Sequence, residues 1–233
     1  MGAFSGPNVL VDDRRVVFSL DAKNAKCYPG VGSIAYDLTA INNMTLYNSV
    51  GYTSGVVPYF SFNGTNQYMR KISGVINPLT SNNATVIAWI QPDSSAGNDP
   101  TYNGLFSLGT KGCGLGSGNG QTLLFSIRSN RTLTMAKWCD DSYSSLTVPD
   151  NSWSMVSLKK QGSLTRFSVN ETFQTTGNTG TQNFAGTSFT VGCTDNPGRY
   201  YRGKISSISL YDAALTDGEI LNIFNATRNR FGI

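Results

Sequence analysis

The chain has 233 residues, a formal net charge of +4 and no histidine. Without histidine, Ser-His-Asp and Cys-His nucleophilic chemistry are excluded, and the commonest general base and metal ligand are missing. Lys and Arg are scattered and do not interleave with aromatics, which argues against a nucleic-acid platform, and no run of about 18 apolar residues is present to span a bilayer as a helix.

Twenty-five glycines, abundant Ser, Thr and Asn, and 11% aromatic residues suit short strands joined by tight turns. The chain is long enough to bury a sizeable core, and all-β sandwiches of this size commonly form one domain. We therefore expect one all-β domain over residues 1–233, with residues 1–11 either an N-terminal anchor carrying Phe4, Val9 and Leu10 or the first edge strand. The opening Met1-Gly-Ala-Phe-Ser-Gly-Pro-Asn lacks the basic and apolar regions of a signal peptide, so synthesis in a cytoplasm without secretion is expected.

In chain order, Arg15–Asp21 reads as a strand, and Ile34–Leu38 and Met44–Tyr47 as short strands around a polar turn. Val56–Phe62 and Gln67–Ile72 flank Asn63-Gly64, the strongest short-range hairpin signal, because both residues tolerate the positive φ of a type I′ turn. Ala84–Ile90 is nearly continuously apolar and is expected to be a central strand covered on both faces. Gly104–Leu108, Thr122–Arg128 and Arg131–Trp138 follow, the last two as a hairpin; Thr110–Gly120 between them is glycine-rich but lacks the Gly-Lys-Ser/Thr ending and following helix of a phosphate loop. Asp140–Tyr143 reads as a loop, Trp153–Lys160 and Leu164–Val169 as paired strands, Thr175–Phe184 as a polar loop, and Thr187–Gly192 as a further strand. Arg202–Asp212 closes the sheet with a slip in its alternation, and Thr216 followed by Glu219 forms a capping box that starts a helix with Ile220, Ile223 and Phe224 on one face. About a dozen strands, one terminal helix and no βαβ alternation predict a two-sheet antiparallel sandwich.

Two clusters carry binding chemistry. Trp138, Asp140, Asp141 and Tyr143 combine carboxylate acceptors with aromatic faces, and Asp195, Asn196, Arg199, Tyr200 and Tyr201 repeat the logic. Such mixtures suit a pyranose, whose apolar face stacks while its hydroxyls hydrogen-bond. The competing reading makes Trp138 a sheet residue and the others solvated turn formers. Asp140, Asp141 or Asp195 with backbone carbonyls are the candidate calcium ligands, but no contiguous acidic loop is present, so neither a metal nor another cofactor is expected. Asp12-Asp13-Arg14-Arg15 reads as a self-neutralising surface turn.

Glycosidic chemistry needs paired carboxylates, and the only glutamates are Glu171, in a turn, and Glu219, in the capping box. No catalytic residue is therefore expected. Cys27, Cys113, Cys139 and Cys193 are dispersed, so free thiols are the default, with Cys113 and Cys139 placed at one end of a hairpin as the pair for any disulfide. Six Asn-x-Ser/Thr sequons are what this Asn- and Thr-rich composition produces by chance.

Phe18-Ser-Leu-Asp-Ala…Tyr-Pro-Gly30, Tyr59-Phe-Ser-Phe-Asn-Gly-Thr-Asn-Gln-Tyr68, Thr85-Val-Ile-Ala-Trp-Ile90 and Gly203-Lys-Ile…Leu-Tyr-Asp-Ala-Ala-Leu-Thr216 resemble the laminin-G-like, concanavalin A-like jelly-roll domains. The opening and the Asn225-Ala-Thr-Arg-Asn-Arg-Phe-Gly232 ending are most similar to stand-alone versions that tailed bacteriophages encode as virion proteins. The resemblance implies a jelly roll with ligand sites on rim loops or one sheet face. It implies a virion location, partners among capsid or tail proteins, and weak attachment to a host-surface glycan. A purely structural docking block and a glycan-active hydrolase are the other implied roles. It leaves open a monomer or a symmetric homo-oligomer, and implies neither nucleic acid nor membrane insertion.

Overall fold

The computed structural model describes residues 14–71, 79, 83–94, 101–109, 122–136, 141–177, 189–194 and 199–233. In chain order the strands are β1 (Val16–Asp21), β2 (Ile34–Ala35), β3 (Met44–Tyr47), β4 (Gly51–Thr53), β5 (Tyr59–Asn63) and β6 (Tyr68–Lys71). There follow β7 (Asn83–Pro92), β8 (Tyr102–Gly109), β9 (Thr122–Arg128), β10 (Thr132–Ala136) and β11 (Asp141–Thr147). The remainder are β12 (Ser154–Gln161), β13 (Leu164–Val169), β14 (Thr172–Thr176), β15 (Phe189–Val191) and β16 (Arg202–Tyr211), before α1 (Asp217–Thr227) and a 3₁₀ turn (Arg228–Phe231).

The strands form two antiparallel sheets. The first has the order β14-β13-β12-β7-β16-β5-β4, with β1 also paired to β16; the second runs β11-β10-β9-β8-β15-β6-β3-β2. One core fills the space between them, where Phe18 meets Phe189 at 4.4 Å and Phe106 packs edge-on against Phe189 at 5.2 Å between ring centroids. The expected two-sheet sandwich with a single α-helix among the described residues is present.

Strand β7 is central and covered on both faces. Val86, Ala88 and Ile90 enter the inter-sheet core, while Ile87 and Trp89 point to the opposite face and meet α1. The helix lies across this outer face through Ile220, Ile223 and Phe224, so it covers the sheet surface and does not sit at the sandwich rim. Trp89 stacks on Phe224 at 5.8 Å and on Phe231 at 3.9 Å, and its Nε1 donates to Thr227 Oγ1 at 2.9 Å. Thr216 caps the helix: its hydroxyl accepts from the Glu219 amide, and Glu219 Oε2 accepts from the Thr216 amide at 2.7 Å. The slip expected in the closing strand is a bulge between Ile205 and Ser207.

Three expectations are corrected. Asn63-Gly64 does not close a hairpin, because β5 belongs to the first sheet and β6 to the second; Asn63 Oδ1 accepts the amides of Thr65, Asn66 and Gln67, bending the chain from one sheet to the other. The loops expected at Asp140–Tyr143 and from Thr175 onward overlap strands Asp141–Thr147 and Thr172–Thr176, which carry no apolar period: the first buries Ser142 and Ser144, and these hydrogen-bond to Thr176 and Gln174 of the second across the seam described below. The strand expected from Ile34 to Leu38 ends at Ala35, where Asp37 turns inward and its carboxylate gathers the amides of Ser19, Thr39 and Asn42. Arg15 pairs with Glu219 at 2.7 Å; Asp12 and Asp13, the acidic half of the expected surface turn, lie outside the described residues. Cys27 and Cys193 are buried free thiols, and burial pushes Cys27 up to about 12; Cys113 and Cys139 lie outside the described residues.

Candidate functional site

Strands of the second sheet alternate between the core and the face turned away from it. On β8–β10, Phe106, Phe125, Ile127, Leu133 and Met135 point inward. Tyr102 pairs with Arg128, and Gly104, Ser126, Thr134 and Tyr143 stand opposite one another in register, so these residues share the outer face. Further along this face, Tyr47 and Tyr68 are directly opposed on β3 and β6.

Several of these side chains join into one band. Tyr47 and Tyr68 stack at 4.8 Å with their planes 5° apart, and Tyr68 lies 6.0 Å from the ring of Tyr200. The segment carrying Tyr200 forms a bridge to Gly104 on β8, and Arg199 O accepts from the Gly104 amide at 3.3 Å. The Arg199 guanidinium carbon sits 4.5 Å from the Tyr102 ring centroid, and that of Arg128 sits 4.7 Å from Tyr143. At the far end, Asp141 Oδ2 accepts from Tyr143 Oη at 3.1 Å and Tyr102 Oη at 3.4 Å.

The electrostatics follow from this packing. The Tyr102 hydrogen bond, partial burial and the Asp141 carboxylate together raise the Tyr143 phenol well above its ordinary range. Burial chiefly raises Tyr200, with Cys193 and Tyr68 adding to it. Both phenols are therefore neutral donors over the physiological range. Tyr143 is 45% exposed, whereas Ser107 and Thr190, nearer the middle of the same face, are buried with their hydroxyls paired at 2.7 Å. The accessible groups of the band thus comprise aromatic rings, two guanidinium groups and one carboxylate, a set that offers stacking surfaces beside hydrogen-bond donors and acceptors.

The structure brings together Asp141 and Tyr143 from one expected cluster with Arg199 and Tyr200 from the other. Trp138, Asp140, Asp195 and Asn196 lie outside the described residues. Tyr201 turns the other way, fully buried with its ring 6.1 Å from Phe62, and so belongs to the core. Sequence reading missed Tyr47, Tyr68, Tyr102 and Arg128. For Tyr68 and Arg128 the signal was alternation, since each adjoins a core residue, Met69 or Ile127, and so falls on the opposite face; Tyr47 follows the partly buried Leu46, and Tyr102, beside the buried polar Asn103, carried no such apolar mark. No group of three or more metal-ligating side chains occurs among the described residues.

The sequence matches the Laminin_G_3 profile, the concanavalin A-like lectin/glucanases superfamily, over residues 63–221, and the chain belongs to that family. Among solved structures, a mutant Trypanosoma rangeli sialidase displaying trans-sialidase activity superposes with a TM-score of 0.66 at 17% identity, over 94% of this chain and 34% of that one. Domain 4 of AbnA, a GH43 extracellular arabinanase from Geobacillus stearothermophilus in complex with arabinotriose, gives 0.63 at 15% identity, over 90% and 98% of the two chains. The binding domain of botulinum neurotoxin serotype D/C gives 0.64 at 14% identity, over 91% and 52%. At these identities the likeness is one of fold, and this chain spans about a third of the sialidase's length. No curated protein matches the sequence.

Proposed function

We propose that the chain is a non-catalytic glycan-binding adhesin, displayed on a bacteriophage virion, whose ligand lies along the tyrosine and arginine band of the second sheet. The observation that carries this reading is the joining of Asp141, Tyr143, Tyr102, Arg199 and Tyr200 on one face. Tyrosine faces stack on the apolar side of a sugar ring, while guanidinium and carboxylate groups bind its hydroxyls bidentately. The virion setting rests on the phage-like opening and ending of the sequence. Support for a sugar ligand also comes from the similar arabinanase domain, solved with arabinotriose, and from the sialidase, solved with sialic acid.

The absence of catalysis rests on the carboxylates. Glu219 is held by Thr216 and Arg15, and Glu171 lies in the turn between β13 and β14 of the first sheet. Asp141 is the one carboxylate of the band among the described residues, whereas glycoside hydrolysis needs two that flank the scissile bond.

A glycan array followed by calorimetry, with arabinotriose and sialic acid included, tests the proposal. Tyr200→Ala and Tyr143→Ala are each expected to weaken binding at least about tenfold, the scale of one lost stacking and hydrogen-bonding partner. Binding indifferent to both changes, or no binding to any glycan, would favour a structural virion block. Release of oligosaccharide that Asp140→Asn abolishes would replace the adhesin with a hydrolase.

A further inference from the structure

A groove of about 450 Å³ lies at the other edge of the sandwich, beside β4. This is within the usual range of small-molecule sites, about 300–1,000 Å³. Tyr28, Pro29, Gly30, Tyr52, Ser54 and Lys23 are among the residues that line it.

The two aromatic rings adjoin and are fixed. Tyr28 Oη donates to Gly32 O at 2.7 Å, Tyr52 Oη donates to Ala22 O at 3.1 Å, and the two rings meet edge-on at 5.0 Å. A ligand entering here would order few side chains, which lowers the cost of binding. Gly30 borders the groove with a φ of +94°, which disfavours any other residue, and a Cβ there would be in van der Waals contact with Tyr52 Cε1 at 3.6 Å.

The charge of the groove is positive. Lys23 is exposed and makes no ion pair among the described residues. Its nearest acid in sequence, Asp21, accepts the Lys23 amide and is already neutralised by Arg230 at 2.8 Å. Lys26, exposed in the same turn, adds to the field.

We propose that this groove is a second binding site, separate from the tyrosine band, that takes one acidic pyranose residue with its ring against Tyr52 and its carboxylate toward Lys23. Neither the groove nor its chemistry depends on the band being a glycan site.

The test is an amide chemical-shift titration of the full chain with methyl glucuronide, methyl glucoside and inorganic phosphate in parallel. Methyl glucuronide is expected to shift the amides of Gly30, Val31 and Ser54 saturably, and Lys23→Gln to weaken this about tenfold, as the loss of one charge-assisted hydrogen bond would. Tyr200→Ala is expected to leave these shifts intact, so a failure of the band leaves the groove's signal in place. Equal response to the neutral glucoside, saturation by phosphate alone, no saturable shift, or indifference to Lys23→Gln would each overturn the proposal. Lys23 is exposed, so its substitution leaves the fold in place for the comparison.

Discussion

Asp141 organises the far end of the band by accepting from two phenols at once, and this makes the protonation of Tyr143 a reporter of the site. The Tyr102 hydroxyl is the leading cause of Tyr143's raised value. Tyr102→Phe removes that bond while keeping the ring under Arg199, so the Tyr143 tyrosinate is expected to form at lower pH in an ultraviolet titration; an unchanged midpoint would break the proposed network. Gly104 is the second decisive residue. A Cβ there would stand 2.3 Å from Thr194 N and 2.6 Å from Arg199 O, both backbone atoms with no room to yield. Gly104→Ala is therefore expected to cost about 2–3 kcal/mol in chemical denaturation, the scale of overpacking, and to displace Tyr200 from the band. An alanine variant of wild-type stability would show that the strand and the Arg199 segment are not in close contact.

The helix is held to its sheet by charge as well as by Trp89. Asp217 receives Arg166 through Nε at 3.0 Å and Nη2, and Lys159 Nζ at 3.1 Å, from neighbouring strands β13 and β12. Burial alone would raise the Asp217 carboxyl, but the two cations hold it below its ordinary value. Arg15 and the Thr216 amide and hydroxyl do the same for Glu219. A carboxyl whose folded value is depressed contributes stability above its unfolded value and loses it as pH falls through the folded one. Both acids therefore steepen the loss of stability below about pH 4. Asp217→Asn is expected to cost about 1 kcal/mol at neutral pH, as partly exposed pairs do, and to flatten that acid limb when urea midpoints are compared. This element was the most legible in the sequence, because a capping box and an apolar stripe are local signals. What sequence did not reveal was the face it covers, since Ile87 and Trp89 look no different from the inward Val86 and Ala88 in a continuously apolar strand.

At the scale of the whole molecule, one edge of the sandwich is sewn shut by polar side chains. Gln174 Oε1 on β14 of the first sheet accepts from Ser144 Oγ at 2.7 Å and from the Ser145 amide at 2.8 Å on β11 of the second, and the Ser142 and Thr176 hydroxyls meet alongside. Gln174→Ala leaves these donors without their acceptor, with an expected loss of about 1–2 kcal/mol in thermal or urea unfolding and faster amide exchange along β11. Stability equal to wild type would mean that water replaces the seam at no cost.

The seam also explains where sequence reading failed. β11 buries serines and β14 presents Gln174 and Thr176 to them, so neither carries a hydrophobic period and both resemble loops in part, while Asn63-Gly64 promised a local pairing that the two-sheet closure overrode. The band was half legible for the same reason. Its polar and aromatic members could be named in two clusters, but only long-range strand pairing brings residues 47, 68, 102, 128, 141, 143, 199 and 200 onto one face.

Strand β16 has a consequence for how the molecule comes into being. It is bordered by β7 along one side and by β5 and β1 along the other, so three strands from the first 92 residues find their partner only in residues 202–211. On a ribosome, those strands emerge with unpaired edges and wait for more than a hundred further residues before the first sheet has a centre. Such non-local pairing makes folding slow and exposes sticky edges in the interval. A nascent chain arrested before Arg202 is accordingly a natural client for chaperones, and full-length chains gain their protection against proteases in one late step.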